Sequence, residues 1–123
     1  NDERKAYAYD GAGWQVAVAE IFYNTQSGTS YTLLAGDAGQ TVYFTNASAI
    51  TLTLPNSMSV GYAVSVIQAA AGQVTFTAGS GATLRNRQSH TKTAGQWAVC
   101  RLQVITNSGG SAAEYVLSGD TAA

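Results

Sequence analysis

Gln40-Thr41-Val42-Tyr43-Phe44-Thr45, Ala49-Ile50-Thr51-Leu52-Thr53-Leu54 and Gln73-Val74-Thr75-Phe76-Thr77 are the runs that decide the fold of this chain. In each, one face reads as aliphatic or aromatic and the other as threonine. Successive side chains on a strand point to opposite faces, so each run buries one face and leaves the other polar without charge. The same character spreads outward: from Ala38 to Leu84 there is no Asp, Glu, Lys or Arg. Soluble surfaces usually carry Lys and Glu. A neutral one predicts a sheet that meets something, whether a sister chain, a neighbouring module or a glycan.

Further strands are expected around these runs. Ala6-Tyr7-Ala8-Tyr9 and Trp14-Gln15-Val16-Ala17-Val18 flank an Asp10-Gly11-Ala12-Gly13 turn and read as an N-terminal hairpin. The polar stretch Asn24 to Ser30 reads as a connection, which places a boundary between a hairpin segment, 1–26, and a β module, 27–123. Tyr31 to Leu34, Tyr62 to Gln68, Ala82 to Arg85, Trp97 to Thr106 and Glu114 to Leu117 complete the expected strands. Pro55 closes its strand, because it cannot donate to a ladder. Gly79-Ser80-Gly81 reads as a hairpin turn, and no sequence repeat of solenoid or propeller length is visible. Many short strands at regular spacing predict an all-β fold, a small antiparallel sandwich or barrel of jelly-roll type.

Composition bounds the function. The 123 residues leave room for one modest core. A net charge of −1 argues against broad nucleic-acid binding, which needs a Lys/Arg excess to neutralise phosphates. No stretch is apolar and long enough to predict a membrane-spanning helix. The single cysteine, Cys100, lies in an apolar run with Arg101 on the opposite strand face, so an inert buried thiol is expected. The opening Asn1-Asp2-Glu3-Arg4-Lys5 is no signal peptide, and the lack of an initiator Met reads as a piece of a longer polypeptide.

Two stretches carry a resemblance. Tyr9-Asp10-Gly11-Ala12-Gly13-Trp14 resembles the YDGxxW signature that ends a family of phage tail and gene-transfer-agent proteins. Gly39 to Leu84, with Thr51-Leu52 and Pro55 and the run Gln68 to Phe76, resembles small β modules near the C-termini of phage tail-fibre and head-spike appendages. Leu117-Ser118-Gly119-Asp120 is similar to the LSGD ending of those modules. The resemblance implies a module of a phage-like fibre or spike on the particle surface, usually a homotrimer. Its implied partners are copies of itself, other particle proteins and host-surface polysaccharide. Within the resemblance Trp14 is a framework residue.

The residues that carry chemistry are few. A catalytic relay would rest on His90, the only histidine, and no GxSxG elbow surrounds any serine. No converging pair of carboxylates is signalled, so no catalytic residue is assigned. One His and one Cys without clustered carboxylates build no zinc or EF-hand site in a single chain, and no cofactor signature is present. A shared ion on a trimer axis stays open. The one charge constellation is Arg85, Arg87, His90 and Lys92. It reads either as a basic loop meeting acidic sugars or phosphate, or as a solvated turn whose arginines satisfy nearby carbonyls. Trp14, following a turn, joins it as a candidate sugar-stacking ring, whereas Trp97 is expected in the core or in subunit packing. The sequence therefore predicts a non-enzymatic structural or adhesive module, with a ligand-free spacer as the alternative and a polysaccharide-degrading tip behind both.

Overall fold

The computed structural model describes residues 8–9, 14–15 and 23–123. β1 (Ala8–Tyr9) and β2 (Trp14–Gln15) pair antiparallel, as the hairpin reading expects. The rest of that expected hairpin lies outside the described residues. The body is all-β: two mixed sheets packed face to face.

The path of the chain is what the alternation alone does not reveal. β3 (Tyr23–Gln26), β5 (Thr41–Phe44) and β7 (Ala63–Gln68) lie side by side and parallel in one sheet. β4 (Ser30–Thr32), β6 (Ile50–Leu54) and β8 (Val74–Ala78) do the same in the other. The chain therefore crosses from sheet to sheet at every step and winds through successive turns of a coil. Tyr23, Thr41 and Ser65 occupy matched positions on those turns. This repeat is invisible in the sequence because the turns differ in length and share residue class, not identity.

After β8 the chain closes the coil. β9 (Thr83–Asn86) pairs parallel with β12 (Ala113–Gly119) at the far edge of the first sheet. β11 (Val99–Asn107) runs antiparallel between β7 and β12. β10 (Lys92–Thr93) and β13 (Thr121–Ala122) add antiparallel strands to the second sheet, beside β8. The six-stranded order is β3-β5-β7-β11-β12-β9 and the five-stranded order β13-β10-β8-β6-β4. The sandwich stands as expected, but the sheets are mixed and not antiparallel throughout. Two further corrections follow. Gly79-Ser80-Gly81 joins strands of different sheets and is a corner, not a hairpin turn. β3 falls before the expected boundary at residue 27, yet it belongs to the sandwich.

The alternation fixes the inner faces. Val42 and Phe44, Ile50, Leu52 and Leu54, Val64 and Val66, Val74 and Phe76 fill the coil, while Cys100, Leu102, Val104, Tyr115 and Leu117 close it. Burying a large aliphatic or aromatic side chain is worth about 1.5–3 kcal/mol, so this shared core holds the sheets together. Burial also pushes the Cys100 thiol up to about 11, and its S–H donates to the Asp120 carbonyl at 3.2 Å.

Polar side chains lock the turns. Asp37 is the one charged residue from Tyr23 to Leu84, and it is only 4% exposed. Its carboxylate accepts from the Tyr31 hydroxyl (2.6 Å), Asn24 Nδ2 (2.8 Å) and the Leu34 amide (3.0 Å). Every donor aimed at it is thereby used, as a buried carboxylate requires. Burial, together with Asp37, raises the Tyr31 phenol to about 12. At the opposite end the corners of neighbouring turns touch. The Gly72 amide donates to the Asn46 carbonyl at 3.0 Å, and a Cβ on Gly72 would collide with the Asn46 and Ser48 carbonyl oxygens. Beyond the coil, Thr93 Oγ1 donates to Gln68 Oε1 at 2.5 Å and accepts from the Val74 amide, tying β10 to the core.

Candidate functional site

Strand register decides what each outer face presents. On the five-stranded sheet, Ser30, Thr51 and Thr75 stand in one row, and Thr32, Thr53 and Thr77 in the next. These parallel strands thus build an uncharged hydroxyl ladder. Side chains opposite each other on neighbouring strands interact directly, so hydroxyl stacks on hydroxyl and methyl on methyl. Lys92 continues the first row beside Thr75.

The six-stranded sheet presents something different. One row runs Tyr23, Thr41, Ser65, Arg101 and Ser118. The next runs Thr25, Tyr43, Ile67 and Val99. Tyr23 and Tyr43 therefore sit diagonally, with ring centroids 5.9 Å apart and planes tilted by 58°. With Thr25 they line an open cleft of about 230 Å³. Tyr23 is 63% exposed and Val99 52%. Sequence reasoning missed this face, because its rows exist only once the parallel register is known. The signal was local alternation in Tyr23-Asn24-Thr25-Gln26, hidden because the inward Asn24 and Gln26 are polar. Gln26 Nε2 donates to Asn24 Oδ1, which satisfies that inward pair.

The expected basic residues gather at the closed side of the sandwich. Asn86 organises them: its Nδ2 donates to the Leu117 carbonyl at 2.9 Å, and its Oδ1 accepts from the Gln88 and His90 amides. Ser89 takes the left-handed conformation this tight loop needs, with φ of 62°. Arg85 and His90 line one cleft of about 340 Å³, and Arg87 lines a neighbouring one of about 300 Å³. Arg85 is not a free fork: its Nε is hydrogen-bonded to the Glu114 carboxylate. That contact, with Thr106 Oγ1 donating at 3.0 Å, holds the Glu114 carboxyl below its usual value. His90 is half-buried, with Nδ1 2.9 Å from Thr121 Oγ1. Lys92 stands apart, on the hydroxyl face. The Trp14 backbone pairs with Tyr9, and its side chain lies outside the described part.

Trp97 does not lie in the core. It precedes β11 instead of opening it, and it is 62% exposed. Its φ of 75° is a left-handed conformation rare for a bulky residue, stabilised where its amide donates to the Gln68 carbonyl at 2.6 Å. Among the described residues, no group of three or more His, Cys, Asp and Glu side chains stands close enough to hold a metal ion.

No family model matches this sequence. A search of curated proteins finds none that matches it.

Proposed function

We propose that this chain is a non-enzymatic structural and adhesive module of a phage-like fibre or spike, assembled from copies of itself and contributing to attachment at a host-surface polysaccharide. The observation that carries the reading is the hydroxyl ladder. Ser30, Thr32, Thr51, Thr53, Thr75 and Thr77 form an uncharged patch on strands whose pairing is regular and parallel, with Lys92 at its edge. Such a face has little to repel a second copy, and threonine methyls favour its being covered. The clustering of Arg85, Arg87 and His90 at one corner supports a contact with acidic sugar. The Arg85–Glu114 pair, which occupies one guanidinium, favours the spacer alternative at that corner.

Light scattering on the intact chain is the test. The expected mass is that of an oligomer, and the double variant Thr51→Lys, Thr53→Lys should run as a monomer with an unchanged circular dichroism spectrum. A wild-type chain that is monomeric at every concentration ends the assembly reading.

A further inference from the structure

We propose that the outer face of the six-stranded sheet is a binding track for a linear acidic polysaccharide. Such a track presupposes the surface-attachment reading above and moves its main ligand contact from the corner loop onto the sheet. Two adjacent rows of opposite character cross β5, β7 and β11. The apolar row holds Tyr43, Ile67 and Val99, and the polar row holds Thr41, Ser65 and Arg101. Each strand-to-strand step is about 4.8 Å, so the two steps from β5 to β11 carry both rows for roughly 10 Å.

A pyranose has an apolar face of C–H groups and a rim of hydroxyls. Laid along this track, successive rings set their C–H faces on the apolar row and their hydroxyls on the polar row. The Tyr23–Tyr43 pair forms the open end, where a tilted cleft of about 230 Å³ admits a ring edgewise against one tyrosine and flat against the other. Recognition sites commonly combine such an apolar floor with a few placed polar groups. Arg101 sets the charge preference, because a guanidinium matches the fork of a carboxylate. The opposite sheet offers neither an aromatic ring nor an apolar row, so it does not compete for this ligand.

The experiment is a calorimetric titration of the full chain with a hexamer of galacturonic acid and, in parallel, with cellohexaose as the neutral probe. The acidic hexamer should bind, more weakly as salt rises. Tyr43→Ala and Arg101→Gln should each weaken it at least tenfold. Arg101→Gln, an exposed change that leaves the core intact, should also erase the preference over cellohexaose. No heat from the acidic hexamer at millimolar concentration overturns the track. Binding that survives both variants but disappears in Arg87→Ala overturns it too, and returns the contact to the corner. Either result, with the chain still oligomeric, leaves the fibre reading standing, whereas a monomer with no ligand removes both.

Discussion

The coil from β3 to β8 and the closing part from β9 to β13 share one core but follow different rules. In the coil, strands pair in parallel and the only charge is the buried Asp37. In the closing part most pairings are antiparallel, and Arg85, Arg87, Lys92, Arg101, Glu114 and Asp120 are all present. In a stacked coil, each surface position faces its counterpart on the next turn, and like charges there repel. Uncharged hydroxyls avoid that problem on every turn. The closing part brings unlike positions together, and Arg85 meets Glu114 across the parallel pair of β9 and β12. Neutrality is thus a condition of building the coil as well as an invitation to a partner.

The comparison breaks first at the corners. Gly72→Ala should destabilise the chain by about 3 kcal/mol, since its methyl lands on backbone carbonyls that cannot swing aside. Gly95→Ala, in the closing part, has open space around the new methyl and should leave the urea midpoint unchanged. Next comes the buried acid. Asp37→Ala strands the Tyr31 hydroxyl, Asn24 amide and Leu34 amide, and should cost about 2 kcal/mol in urea denaturation.

Alkaline pH sharpens the contrast further. Tyr31 in the coil and Tyr115 in the closing part both have phenols raised from 10 to about 12, chiefly by burial. Their folded values exceed their unfolded ones, so their contribution is intact below about pH 10 and lost as pH rises through about 12. Denaturation midpoints measured across that window should fall steeply. Tyr31→Phe should flatten part of the slope. The smallest effect belongs to the surface pair: Glu114→Gln should leave thermal stability unmoved, because exposed ion pairs contribute little.

Much of this fold was legible in the sequence. Alternation located β5 to β8, β11 and β12, and assigned inner faces to β5, β6 and β8. It could not say which strand lies beside which, because a period of two defines a face and not a neighbour. β3 escaped because Asn24 and Gln26 turn inward in place of apolar residues, and β10 and β13 because two residues carry no period. The corner of Arg85, Arg87 and His90 was readable because those residues are close in the chain. Glu114, which holds Arg85, comes from a strand far along the sequence. Trp97 misled because its apolar neighbours suggest a strand, whereas its left-handed backbone is set by a tertiary hydrogen bond to Gln68.

The crossing path has a mechanical consequence. Successive strands of the coil never form a hairpin with each other, so no pair of them can be unzipped from a shared turn. A pull applied between β3 and β8 is carried through both layers at once, loading the Asn46–Gly72 corner together with the Asp37 cluster at the other end. Resistance to tension is thereby spread over the whole thickness of the domain.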